Sequence, residues 1–141
     1  MLPSVPVLRA ISLLRPILTC RLDPKFPGAK KPYQKTPQRA GWDLTLPETI
    51  KLDGYKVTKV DLGIRLEIPR GHYGLLTGRS SFCLHKDASV VDGIIDSDYK
   101  DNIFVMIRTY GILEPLTLEK GSRICQIIIQ PYSNNIMWFK I

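Results

Sequence analysis

The sequence predicts an all-β domain, a sandwich or barrel of eight or more short strands. Three observations carry that prediction. From Ala40 onward, short apolar runs are broken by turn residues, and no helical period of useful length appears. Residues 63–69 alternate cleanly, with Ile64, Leu66 and Ile68 set against Arg65 and Glu67. That pattern gives one buried face and one wet face. Strands repeated at this spacing pack as a sandwich or barrel.

Each element follows in order. Ile17–Leu22 reads as a first strand. Residues 24–39, PKFPGAKKPYQKTPQR, read as an extended polar connection, and seven of the eleven prolines fall before residue 40. The chain therefore divides into a basic, Pro-rich segment over 1–39, which includes the strand near 17–22, and a β body over 40–141. Within the body, Gly63–Pro69 is a strand ended by Pro69–Arg70–Gly71. Tyr73–Thr77 is the next, and Phe82–Lys86 has room for a helical turn or two. Ile103–Thr109 and Arg123–Gln130 are continuous apolar runs, the pattern of strands covered on both faces. Thr109–Gly111 and Glu119–Ser122 punctuate them. There is no internal repeat.

A chain of 141 residues suits one domain and buries about two-thirds of its unfolded surface, so it needs no disulfide or metal to fold. Cys20, Cys83 and Cys125 are far apart and form no CxxC pair, which reads as free thiols in a reducing compartment. The formal charge is +7. Residues 1–40 hold eight Lys/Arg against Asp23 alone, so the rest of the chain is neutral. A basic arm is the reading, and nucleic acid is not an expected partner except through that arm. No apolar run approaches the roughly 18 residues that span a membrane. Residues 1–20 lack acids, as transit peptides do, but Pro3, Pro6 and Pro16 interrupt an amphipathic helix. A cytoplasmic or nuclear protein is expected, without organelle targeting.

Four segments carry chemistry. Ala40–Gly41–Trp42–Asp43–Leu44 opens the body with an acid between apolar residues. In Gly78–Arg79–Ser80–Ser81, a glycine lets backbone amides approach an anion, the arginine offers a planar fork, and two serines offer hydroxyls. Gly93–Ile94–Ile95–Asp96–Ser97–Asp98–Tyr99 reads as a strand entering a hairpin, with Asp96 where a strand end aims a carboxylate at a water. Tyr99 offers a flat ring to a sugar or base. In Gly121–Ser122–Arg123–Ile124–Cys125–Gln126, Gln126 shares a strand face with Gln130. Each segment alone also reads as an ordinary turn or a strand-pairing residue.

Together, and in this order, the four segments resemble motifs one to four of the trimeric dUTPase family, over Ala40 to about Tyr132. Gly63–Ile64 through Pro69–Arg70–Gly71–His72–Tyr73–Gly74 is similar to the connecting strand pair of that family, and Ile17–Leu22 to its first strand. The resemblance implies a jelly-roll-like subunit, a homotrimer with active sites at subunit interfaces, and Mg²⁺-dependent hydrolysis of dUTP to dUMP and pyrophosphate. By motif, Asp96 is implied to orient and deprotonate the attacking water. Tyr99 is implied to pack on the deoxyribose and exclude a 2′-hydroxyl. Backbone around Gly93–Ile95 would read the uracil edge. Arg79, Ser80, Ser81 and Gln126 would hold phosphate oxygens. Asp43 would support the hydrated-metal side, and Arg123 would tie subunits or motifs together. No direct metal ligand is implied, since Mg²⁺ binds through triphosphate and waters.

Two departures stand out. The family places a glycine two residues after the tyrosine, where this chain has Asp101, a residue that tolerates left-handed turns. The family also has a fifth, glycine-rich motif that closes over the nucleotide, whereas no glycine follows Gly121 here. The arm is therefore read as absent, removed or supplied by another molecule, a loss expected to weaken catalysis more than folding, and Ile136, Trp138, Phe139 and Ile141 are candidates for a last strand instead. The alternative function is a catalytically weak or inactive dUTPase-like binding or scaffold protein, viral or regulatory. A dCTP deaminase is a third reading, disfavoured because that family uses a glutamate at the base.

Overall fold

The computed structural model describes residues 18–79 and 87–141. Ile17, Ser80, Ser81, Cys83 and the helical turn read over Phe82–Lys86 lie outside the described residues. The described chain is all-β. Its strands are β1 (Thr19–Leu22), β2 (Trp42–Thr45), β3 (Ile50–Gly54), β4 (Val57–Asp61), β5 (Ile64–Glu67), β6 (His72–Gly78), β7 (Ala88–Val91), β8 (Gly93–Ile95), β9 (Phe104–Thr109), β10 (Ile112–Leu118) and β11 (Arg123–Pro131).

Among the described residues they form four antiparallel sheets, ordered β1-β5, β10-β3, β2-β11-β6-β8 and β4-β9-β7. The alternation read over residues 63–69 is borne out: Ile64 and Leu66 are buried while Arg65 and Glu67 are exposed. Its partner β1 runs from Thr19 opposite Glu67 to Leu22 opposite Ile64. Together the ladders enclose one core, in which Leu44, Leu46, Leu52, Leu62, Ile107, Leu118 and Ile127 are almost wholly buried. This is the jelly-roll-like β sandwich.

Strand β11 is central, flanked by β2 and β6, with Ile124, Cys125 and Ile127 buried and most of the rest half-buried. The run at Ile103–Thr109 differs from expectation. Its strand β9 alternates, with Val105, Ile107 and Thr109 buried and Met106 exposed, so one face is open rather than both covered. The tail also differs. The ladder ends at Pro131, and Ile136, Trp138, Phe139 and Ile141 stand exposed without strand pairing. Part of the Pro-rich stretch is packed against the body: Ala29 joins the core, and Tyr33 bridges Asp43. The entry to β5 requires glycine, because Gly63 has φ +69° and a Cβ there would lie 2.6 Å from the Phe26 Cβ. No described helix is long and apolar enough to cross a membrane.

Ile107 has no solvent exposure and sits mid-strand between β4 and β7. Ile107→Ala is expected to cost about 2–5 kcal/mol through lost transfer energy and a residual cavity. Urea unfolding followed by fluorescence checks this; a loss under about 0.5 kcal/mol would contradict so tight a core.

Candidate active site

The site divides into two cavities. The first is polar, about 450 Å³, and lined by Lys35, Arg39, Gly41, Asp43, Arg79, Arg123 and Gln126 among others. Strand register explains why distant motifs meet here. Gln126 of β11 lies opposite Asp43 of β2 on one side and Thr77 of β6 on the other. Directly opposed residues in a sheet project from the same face. Asp43 Oδ1 receives the Arg79 Nε at 3.2 Å, and its Oδ2 lies 3.8 Å from Arg123. Arg79 also donates to the Arg123 carbonyl at 3.1 Å, and Gln126 Nε2 donates to the Gly78 carbonyl at 3.4 Å. The Arg123 guanidinium stacks 4.4 Å over the Tyr33 ring. Any side chain at Gly41 would collide with the Gln126 amide, so that glycine keeps the cavity open.

Four cations and one carboxylate line this cavity, so it suits a polyanion. The carboxylate serves to fix the arginine forks. Lys35 and Arg39 were read from sequence as part of a solvated arm. They face this cavity, and among the described residues neither forms an ion pair. The available signal was position, since both lie within eight residues ahead of Asp43.

The second cavity is apolar, about 200 Å³, and is formed by Gly93, Ile94, Ile95, Tyr99 and Phe104 with Leu76, Val91, Ile103 and Met106. It is smaller than the roughly 300 Å³ at which drug-sized pockets begin, so it admits a planar ring rather than a whole nucleotide. Strand β8 is the outer strand of its sheet, paired only with β6. Its free side therefore offers backbone donors and acceptors to a ring edge. Asp96 follows directly and is exposed. The Tyr99 amide donates to the Asp96 carbonyl at 3.1 Å, closing the turn that joins the two residues. Burial, then the charges of Asp101 and Asp61, push the Tyr99 phenol above its usual pKa, so it remains a hydrogen-bond donor.

The two cavities share no lining residue. Ile95, next to Asp96, pairs with Gly74 of β6, and Arg79 lies five residues further on, directly after that strand ends at Gly78. At about 3.4 Å per residue, roughly 17 Å separates the Asp96 end from the Arg79 end. Thus Asp43, Arg79, Arg123 and Gln126 meet in one place, and Gly93, Ile95, Asp96 and Tyr99 in another.

Behind Asp43, Cys125 is wholly buried, and burial followed by the Asp43 charge pushes its thiol up to about 12. It stays a neutral packing group. Asp43 is already engaged by two arginines, and no group of three acids, histidines or cysteines converges among the described residues. A cationic cavity of this kind fits Mg²⁺ only as an ion that arrives with phosphates and keeps its waters.

The sandwich thus offers a cationic cavity suited to a polyanion and a separate apolar cavity suited to a flat ring. The sequence profile of the dUTPase family matches residues 28–140. The chain is 34% identical over 113 residues to a deoxyuridine 5′-triphosphate nucleotidohydrolase of Anaeromyxobacter sp. (strain Fw109-5), covering 79% of this chain and 76% of that protein. It is likewise 34% identical to the one of Fowlpox virus, covering 72% and 70%. Among solved structures, the dUTPase of phage phi11 of S. aureus superposes with a TM-score of 0.80 at 21% identity, covering 88% of this chain and 96% of that one. That likeness speaks to the fold. The chain belongs to the dUTPase family.

Proposed function

We propose that the chain hydrolyses dUTP to dUMP and pyrophosphate with Mg²⁺, in active sites that form between the subunits of a homotrimer. The observation that carries this is the division of the site: phosphate-binding and ring-binding groups lie on one chain but about 17 Å apart. A second copy that brings its ring cavity to this copy's cationic cavity completes the site. Arg79 and Gln126 hold phosphate oxygens, joined by Ser80 and Ser81 of the same motif. Asp43 holds the Arg79 and Arg123 forks in position. The β8 edge reads the uracil, in a space too tight for a 5-methyl group, and the Tyr99 ring lies against the deoxyribose where a 2′-hydroxyl would collide. Asp96 orients a water and accepts its proton as the water oxygen attacks the α-phosphorus. The bond to the bridging oxygen breaks, and pyrophosphate leaves. Bound Mg²⁺ offsets charge on the phosphates. For such a reaction, positioning and charge stabilisation supply most of the catalysis. An intracellular compartment, where dUTP arises, belongs to the same reading.

Pyrophosphate release from dUTP, with dTTP, dCTP and UTP in parallel, tests the proposal. Mg²⁺-dependent turnover of dUTP alone is expected. Equal turnover of dTTP or UTP would refute the assigned ring cavity, and absence of dUTP turnover would refute the activity.

A further inference from the structure

The turn that carries Asp96 and Tyr99 is tied to residues distant in sequence by one side chain, Asn102. Its Nδ2 donates to Asp23 Oδ2 at 2.8 Å and to both oxygens of Asp61 at 3.2 and 3.3 Å. Its Oδ1 accepts from Arg65 Nε at 2.8 Å. Both amide hydrogens and the amide oxygen are thereby used. The two carboxylates are themselves held by backbone: Asp61 Oδ1 accepts from the Gly63 amide at 2.7 Å, and Asp23 Oδ1 from the Lys25 amide at 2.9 Å. The Asn102 backbone carbonyl accepts the Tyr99 hydroxyl at 2.7 Å. Tyr99 is therefore held at its backbone amide by the Asp96 carbonyl and at its ring hydroxyl by the Asn102 carbonyl.

This clamp draws on three separate elements: the turn after β1, the β4–β5 corner and the turn before β9. No packing need of the sandwich explains an amide held between two carboxylates, since burying polar groups gains little over an apolar filling. What the clamp does fix is one ring, on the wall of the cavity that also holds Gly93, Ile95 and Phe104. A ring that swings outward by even 1 Å relaxes any steric test made against it.

We propose that Asn102, braced by Asp23, Asp61 and Arg65, is a positioning residue that sets the sugar selectivity of the site by fixing the Tyr99 ring. This rests on the nucleotide reading above, and it assigns the selectivity to a residue outside the cavity lining. Asn102 is also the largest influence holding the Asp23 carboxyl below its usual 3.8, ahead of the Lys25 amide. A depressed acid of this kind adds stability above pH 3.8 and loses it as the pH falls through the folded value.

The test compares dUMP and UMP binding by calorimetry alongside dUTP and UTP turnover, in the wild type, Asn102→Asp and Arg65→Met. Asn102→Asp keeps the shape but removes both donors and adds a third carboxylate. Arg65 is exposed, so its replacement leaves the core intact. The ratio of dUMP to UMP affinity is expected to fall about 10-fold in Asn102→Asp and less in Arg65→Met, chiefly through tighter UMP binding. The double variant Asn102→Asp/Asp61→Asn, which exchanges donor and acceptor, is expected to recover part of the ratio. A ratio unchanged in Arg65→Met and in a folded Asn102→Asp, or dUMP and UMP weakened equally, would overturn the inference. Failure of the wild type to turn over dUTP while still preferring dUMP would instead count against the activity and leave the clamp standing.

Discussion

Asp96→Asn is expected to lower kcat on dUTP about 10²–10⁴-fold, the range for losing a general base, with little change in KM. Asparagine keeps the size of the side chain but cannot take a proton from water. The fold should be indifferent to the change. The Asp96 side chain is exposed, and the bond that closes its turn uses its backbone carbonyl, which asparagine retains. Nucleotide binding should also persist, since the cationic cavity and the ring cavity do not use this carboxylate. The check is steady-state kinetics with unfolding midpoints measured in parallel. A variant that keeps more than a tenth of wild-type kcat would remove Asp96 from the chemistry. A variant that loses dUTP affinity instead would make it a binding group. The neighbouring acids Asp98 and Asp101 are the internal controls, because each carries the same charge within five residues of Asp96.

The sequence made the site legible wherever chemistry depends on residue type. An acid, a Gly-Arg-Ser-Ser run, an Asp-x-x-Tyr turn and a strand glutamine each have a physical reason to be what they are; Asp43, Arg79 and Gln126 meet around one cavity, and Tyr99 lines the other. Strands with strict alternation or a long apolar run, such as β5 and β11, were legible for the same reason. The strands β3, β4, β7 and β10 were not read individually. Lys51, Asp53, Lys59 and Glu114 interrupt three of them with charge, and β10 carries Pro115 within a register shift against β3. Tertiary pairing, not local pattern, makes these strands. Lys35 and Arg39 show a different limit. Their charge was plain, but composition cannot tell an arm in solvent from a segment held down by the Tyr33–Asp43 bridge. Asn102 had no local signal, because its partners lie 79, 41 and 37 residues away.

The second large effect concerns assembly. Arg79→Ala should reduce kcat/KM on dUTP about 10²–10³-fold by removing a planar donor from the phosphates. Taken singly, then, Arg79→Ala and Asp96→Asn are each nearly inactive. If each active site joins the Arg79 end of one copy to the Asp96 end of another, the two defects complement. A site that pairs the Arg79 of an Asp96→Asn copy with the Asp96 of an Arg79→Ala copy contains both intact groups. Random 1:1 assembly places such pairings at about one quarter of the sites, so a co-refolded mixture should recover about 25% of wild-type turnover. That is a rise of ten-fold or more over either parent. A site confined to one chain gives a different result, because no mixed copy ever holds both groups and turnover stays at the mean of the parents. The geometry favours complementation for a simple reason. Arg79 and Asp96 flank opposite ends of the β6–β8 pair, roughly 17 Å apart in an antiparallel ladder that has no hinge between them. No motion short of breaking that ladder brings them together in one copy, whereas docking a second copy requires only that the two ends face each other.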